Sequence, residues 1–596
     1  MIWPRRHASG TPAVVLPRTD ACSECLDDEV AVIQGREALE RLLSPVCASL
    51  SRAFQVESIA SRLCPALLGD GRVAVFALQE HIASEQADEL LRRVQMKGYA
   101  LAQPARYVLD APLLLALARN ELGAAGAGMA PVHSRSALAA AFQELVEWGV
   151  RHEASDLHLN LYPARAHSEV KYTIGGRYLA PERFRQMPTG LLTDMLAVVW
   201  MDIRGGNGAL FDPTTEQQGS LSYSVDGREV SLRWASMAAD EGPSVCLRFL
   251  VNDPGRAWPG LSELGYLPDQ VACIERVMLS EGGAIVFSGV VGSGKSTTLA
   301  CLAAGLPAHR KLITLEDPVE YRIPKAIQNS LVRSLDADQP LAYAAKLRIL
   351  KRSAMTDVLL GEIRDAESGL AFMDLASSGV NVYTTVHAAS AASVPDRLAS
   401  EFIGVSRDLL LAPGSLRLIV HQALLPRLCP QCSLPASALL DGARRADGRH
   451  CEGGYWARWL DHIATCFRVD PQPLRVRNPE GCAQCRRGGV APLQGYRGRT
   501  VAAELIEPAL SPDFLQAVRR QRTAQWLAVH AARLARRGVQ AEDVWRTAMD
   551  SALLKALHGE VDPRDIEVRF HAFETRRRQV AHRQRCHSSL DGSGVS

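Results

Sequence analysis

The stretch Gly289-Val-Val-Gly-Ser-Gly-Lys295-Ser296 matches G-x-x-x-x-G-K-[ST] without a departure. An apolar run, Ala284-Ile-Val-Phe287, leads into it, and Thr297-Thr-Leu-Ala-Cys-Leu-Ala303 leads out with helical character. Buried strand, glycine-rich loop and helix in that order are what a phosphate-binding loop requires. The glycines Gly289, Gly292 and Gly294 let backbone N–H groups close around phosphate oxygens. Ser293, in the loop, and Thr297, at the start of the helix, are expected to bind the nucleotide with them, and the helix N-terminus adds partial positive charge. Lys295 is expected to reach the β- and γ-phosphates, and the Ser296 hydroxyl to hold Mg²⁺. Such a loop commits this part of the chain to a parallel sheet with helices on its faces.

At roughly 150 residues per domain, 596 residues suggest about four domains. Lys+Arg 67 against Asp+Glu 65 leaves a formal net charge of +2, so no overall field draws the chain to nucleic acid or acidic lipid. The sequence has no uncharged apolar run of about 18 residues and no secretory signal at its start, which predicts a cytosolic protein. In that reducing setting, sparse cysteines point to metal binding or plain burial rather than a disulfide scaffold.

The chain falls into segments. Residues 1–135 read as a small α/β accessory domain that runs into an Ala- and Gly-rich linker from Leu122 to Pro131 near its end. Residues 141–252 read as a mostly antiparallel α+β domain, with period-two alternation from Asp156 and a hairpin at Gly175-Gly176. A Pro- and Gly-rich boundary, 252–260, precedes the core that carries the phosphate loop, 262–426; a cysteine module, 427–505, and a helical region, 506–572, follow. Residues 573–596 read as a solvated basic and polar tail carrying Arg576, Arg583 and Arg585.

Two acidic clusters lie at the ends of apolar strands beyond the loop: Leu315-Glu316-Asp317-Pro318-Val-Glu320-Tyr321 and Gly361-Glu362-Ile-Arg364-Asp365. Ligands of open α/β sheets bind at the carboxyl ends of the strands, so both can face a nucleotide there. A further strand, Val382-Tyr-Thr-Thr-Val386, ends in His387, a candidate sensor of nucleotide state. Cys429-Pro-Gln-Cys432 and Cys482-Ala-Gln-Cys485 form two C-x-x-C knuckles. Together they supply four thiolates, enough for a closed structural Zn²⁺ site. Their separation exceeds that of the common short ribbon, and Cys451 and Cys466 lie between them as competitors. Cys22 and Cys25 form a lone knuckle, read as coincidence.

In this order the motifs resemble those of the type II secretion and type IV pilus assembly ATPases, across residues 141–571. Gly289–Ser296 matches that family's Walker A, Leu315–Tyr321 its Asp box, Gly361–Asp365 its Walker B and Thr385–His387 its His box. Ala154-Ser-Asp-Leu-His158 is similar to the opening of its second N-terminal domain, and Gly495-Tyr-Arg-Gly-Arg-Thr500 with Glu504 to its tetracysteine region. The resemblance implies a RecA-like P-loop core preceded by an α+β, PAS-like domain, with a tetracysteine zinc module and a helical C-terminal region. It implies a homohexamer that hydrolyses ATP with Mg²⁺, with arginines matching Arg233 and Arg248 reaching the γ-phosphate. Glu316 would polarise the attacking water and Glu362 hold Mg²⁺, or the two roles would be exchanged. Placement at the inner face of the cytoplasmic membrane, against a platform protein and a membrane-associated adaptor, follows by the same analogy.

Departures from the family are local. Met355-Thr356 stands where the family has Pro-Asp, with Asp357 one place late. Arg487–Gln494 is inserted after the second knuckle, and residues 1–140 match only around Gly69 to Tyr107, with no cyclic-dinucleotide motif. A retraction ATPase is disfavoured by the cysteines and the long N-terminal domain, and a conjugative, VirB-type DNA-transfer ATPase by the paired knuckles. A nucleotide-binding scaffold with weakened hydrolysis is the remaining alternative.

Overall fold

The computed structural model describes residues 30–33, 39, 42, 44–56, 59–118, 133–208, 210–252, 257–331, 346–486, 490–540 and 545–578. The expected linker after Leu122, the Cys22/Cys25 knuckle, and Arg583 and Arg585 lie outside them. The chain divides into two compact units, 1–133 and 134–596.

The first unit holds a five-stranded sheet with helices. Its five strands run in the order Val30–Val32, Leu101–Val108, Val73–Ala77, Leu63–Leu68 and Val46–Ser49. The helix Glu85–Met96 starts where the Ser84 side chain accepts from the Ala87 N–H, and it buries Ala87, Leu90, Leu91 and Val94 at helical spacing.

The second unit opens with the helix His133–Arg151 and an antiparallel sheet. The expected hairpin is present: Gly175 and Gly176 take φ of 59° and 80°, which two-residue turns of twisted strands demand. Inward residues Leu157, Leu159, Val170, Tyr172, Leu232 and Trp234 pack against Phe142 and Leu145 of the helix His133–Arg151 and Leu196 of the helix Thr189–Trp200.

The seven-stranded sheet that follows has the order Ile327–Ser330, Leu312–Glu316, Asp357–Leu360, Asn381–Val386, Gly283–Ser288, Leu416–Leu428, Tyr496–Ile506. All neighbours are parallel except the last pair. Both faces are covered, which is why its strands read as continuous apolar runs. Ala284, Val286, Val358 and Val382 face one core with the helix Ala366–Ala376. Ile285, Phe287, Leu359 and Tyr383 face another, built on the helices Pro268–Met278 and Lys295–Ala304.

Two expectations change. The boundary at 426/427 does not separate two bodies: Leu416–Leu428 runs through it, and Tyr496–Ile506 is the seventh strand of the core sheet. Between the knuckles lies the helix Gly453–Phe467, which packs with Ala548–Leu557, Ile566 and Phe573 in a core of its own. Arg576 is not part of a solvated tail. It is 7% exposed, and its Nη2 lies 2.7 Å from Asp550 Oδ1, because an arginine that deep needs a carboxylate.

Candidate functional site

The phosphate-type loop leaves the sheet at Ser288. A Cβ on Gly289 would come within 2.4 Å of the Gln422 carbonyl and 2.5 Å of Ser293 Oγ, so only glycine fits. Gly294 sits at φ 84° as the N-cap of the helix Lys295–Ala304. Gln422, fully buried on the neighbouring strand, donates from Nε2 to the Ser293 carbonyl at 2.8 Å and fixes the loop from behind. The Lys295 ammonium spans the loop, donating to the carbonyls of Gly289 at 2.9 Å and Val290 at 3.1 Å. Burial lowers its pKa, opposed by Glu362 and Glu320.

Parallel strands bring the two acidic clusters to this edge. Gly283, Leu312, Asp357 and Asn381 form one row at the amino ends of the strands. Ser288, Glu316, Gly361 and Val386 therefore all reach the other end, beside the loop. There a cavity of about 260 Å³ is lined by Gly292, Lys295, Ser296, Glu316, Glu320, Tyr321, Glu362, Thr385, His387 and Arg248 among others.

Glu316 accepts from Thr314 Oγ1 at 2.6 Å and from Gln328 Nε2 at 3.1 Å. Burial nevertheless raises its pKa above the usual carboxylate range. His387 joins the loop to the second cluster. Its Nδ1 is 3.0 Å from the Gly289 carbonyl and must donate to it, while Nε2 is 3.2 Å from Glu362 Oε1. Thr297 leaves the cavity to its neighbours and pairs with the Tyr321 hydroxyl at 3.0 Å. Asp317 takes a 2.7 Å bond from Arg364, and Asp365 caps the next helix by accepting from the Ser368 N–H at 2.9 Å, so neither is spare.

Arg248 reaches the cavity from the antiparallel sheet, held by Asp156 at 2.9 Å. Arg233 does not line it: it stands exposed on the adjacent strand, directly opposite Arg248. Asp357 does not line the cavity either. It is fully buried at the amino end of its strand, paired with Arg310 and accepting from Tyr383 at 3.1 Å. Gln328 and Gln422 went unseen in the sequence, because each acts on a residue that only strand pairing brings near.

The cysteines meet for a similar reason. Antiparallel pairing sets Leu428 against Tyr496, and the Cys429 N–H donates to the Gly495 carbonyl at 2.9 Å, returning the chain beside the first knuckle. The sulfurs of Cys429, Cys432, Cys482 and Cys485 all lie within 4.8 Å of one another. Cys429 is 3.8 Å from Cys482, and Cys432 is 3.7 Å from Cys485. Cys451 and Cys466 are not in this group; Cys466 is buried against the Phe573 carbonyl.

The chain is 28% identical over 361 residues to type II secretion system protein E of Klebsiella pneumoniae, covering 60% of this chain and 63% of that one. It is 30% identical over 308 residues to the type II secretion system protein HxcR of Pseudomonas aeruginosa, covering 51% and 60%. It thus spans less than two thirds of the length of each. The solved structure of the Legionella pneumophila ATPase DotB is 19% identical, with a TM-score of 0.46 over 72% of this chain and 95% of that one. The family described as Type II/IV secretion system protein matches residues 133–552, well over half of the sequence, and the chain belongs to that family.

Proposed function

We propose that the chain is an ATP-hydrolysing motor of a type II secretion or type IV pilus assembly machine. The observation that carries this reading is one cavity at the carboxyl ends of parallel strands into which Lys295, Ser296, Glu316, Glu362, His387 and Arg248 converge. In it, loop N–H groups and Lys295 bind the phosphates. Glu316 takes the proton of the attacking water, a role that a carboxylate with a raised pKa fits. Arg248 places cationic charge where the γ-phosphate loosens. His387, bridging Gly289 and Glu362, reports the state of one to the other. The hydroxyl of Ser296 and the carboxylate of Glu362 are the hard oxygen donors that Mg²⁺ takes, and the ion would neutralise phosphate charge.

The four thiolates fit Zn²⁺. With Zn–S near 2.3 Å, a tetrahedron has sulfurs about 3.8 Å apart, and the pairs Cys429–Cys482 and Cys432–Cys485 stand at 3.8 and 3.7 Å. No ligand position would be left open, so the metal would be structural. The antiparallel sheet with its two helices supports the PAS-like reading of residues 141–252, and the seven-stranded sheet the RecA-like one. A homohexamer on an inner-membrane platform protein would convert movement between these parts into subunit assembly. No helix among the described residues is long and apolar enough to cross a membrane.

The test is steady-state ATP hydrolysis against protein concentration, for wild type and Lys295→Ala, with and without single-stranded DNA. Turnover that rises with assembly, vanishes in Lys295→Ala and ignores DNA is expected. Undiminished hydrolysis in the variant would refute the site, and strong DNA stimulation would move the reading to a nucleic-acid transfer ATPase.

A further inference from the structure

The segment Val490–Gln494, part of the insertion that departs from the family pattern, joins the core to the antiparallel domain. Val490, 5% exposed, sits in the hydrophobic core of that domain, and Leu493 packs on the same cluster. From the other side Arg477 holds the segment, donating to the carbonyls of Gln494 at 2.6 Å and Ala491 at 2.7 Å. Arg177, on the antiparallel domain, closes the junction. It donates to the Pro492 carbonyl at 3.0 Å, to the Tyr496 hydroxyl at 3.1 Å and to Asp565 at 3.2 Å. Its guanidinium also lies 4.8 Å from the centre of the Tyr496 ring, whose hydroxyl donates to Asp565 at 2.6 Å. A planar fork that stacks and bonds at once is a fit for arginine and not for lysine.

Arg177 is tied by sheet register to the nucleotide side of its domain. It pairs with Ile174, Thr173 pairs with Asp156, and Asp156 pairs with Arg248. Three strand spacings, about 15 Å of hydrogen-bonded sheet, separate the two arginines. A sheet that short moves as one piece, so whatever fixes Arg177 fixes Arg248.

We propose that Arg177 is a positioning residue for ATP turnover, whose grip on Tyr496 and Asp565, with Val490 and Leu493 seated beside it, sets the angle at which Arg248 enters the cavity of the same chain. The proposal rests on the role given to Arg248 above.

The experiment measures kcat and KM for ATP in wild type, Arg177→Met, Tyr496→Phe, Arg248→Gln and the Arg177→Met/Arg248→Gln double variant, with thermal midpoint and zinc content as checks on folding. Misplacing a charge by about 1 Å costs roughly ten- to a hundredfold in rate, so Arg177→Met should lose that much in kcat with KM little changed. The double variant should be no slower than Arg248→Gln alone, a coupling that a merely structural role would not produce. Tyr496→Phe, which loses one hydroxyl and keeps the ring, should show a smaller loss and stands in if Arg177→Met does not fold. Wild-type kcat in both latch variants, or a double variant slowed by the product of the single losses, overturns the proposal alone. Wild-type turnover in Arg248→Gln removes the role of Arg248 and the proposal with it.

Discussion

His421 lies under the phosphate-type loop, 7% exposed, with Nδ1 3.1 Å from the hydroxyl of Ser288, the residue before Gly289. Burial, helped by the nearby charges of Arg569 and Lys295, lowers its pKa from 6.5 to about 4. The folded protein therefore holds it neutral where the unfolded chain would protonate it. A histidine with a depressed folded pKa contributes stability that is fully present above the unfolded pKa and is lost as pH falls towards the folded one. The window is pH 6.5 to 4. At 1.36 kcal/mol per unit the whole shift is worth about 3 kcal/mol, of which about 2 kcal/mol is lost between pH 7.5 and pH 5.

Wild type alone would not show this. Glu504 pairs with His421 across the neighbouring strand, and burial pushes it up to about 8 despite the N–H groups of Ala391, Ala548 and Ala392. Its folded state binds the proton, so it gains stability on acidification while His421 loses it. The quantity to measure is the difference between wild type and His421→Gln, which keeps a bonding partner for Ser288 without a titrating ring. Urea unfolding at pH 7.5 and pH 5 should show the wild type losing about 2 kcal/mol relative to the variant. Parallel pH profiles for the two chains would refute a buried neutral His421 and with it the account of how the loop is supported.

Two further outcomes are expected. The purified protein should contain about one Zn per chain, and Cys432→Ser should lose the metal together with part of the thermal stability, read by metal analysis and calorimetry. Asp357→Ala should strand the Arg310 guanidinium, whose Nε now bonds Asp357 at 2.9 Å, and cost roughly 3–5 kcal/mol in unfolding measurements.

What the sequence made legible was local in chain or fixed by sheet polarity. The loop, its strand and its helix are contiguous, so Gly289 to Thr297 could be read directly. Glu316, Glu362 and His387 could be placed at one edge because parallel strands share a direction. Lateral partners could not be read. Gln328 reaches Glu316 only because its strand adds to the edge of the sheet, and Gln422 reaches Ser293 across a strand pair. Arg576 looked like tail because nothing nearby in sequence announces Asp550, buried with it. The distant knuckles become neighbours only once the strand Tyr496–Ile506 turns back along Leu416–Leu428.

The same polarity bears on whether the site is degenerate. The one departure in the core that counted against hydrolysis is Met355-Thr356, and its place in the sheet separates it from the chemistry. Thr356 lies at the amino edge, where its hydroxyl accepts from the Lys311 N–H at 2.7 Å and donates to Asp357 at 2.8 Å. Glu362 lies beyond the far end of the strand Asp357–Leu360, at the carboxyl edge. The intervening Val358, Leu359 and Leu360 are buried and carry no charge. Thr356 and Asp357 thus act on how the strand begins, joining it to Lys311 and Arg310, while Glu362 keeps its place 3.2 Å from His387 Nε2. A change at the first edge lowers stability without touching the second, so the departure gives no reason to expect weakened hydrolysis, and the Asp357→Ala variant should unfold more easily while retaining its turnover per folded chain.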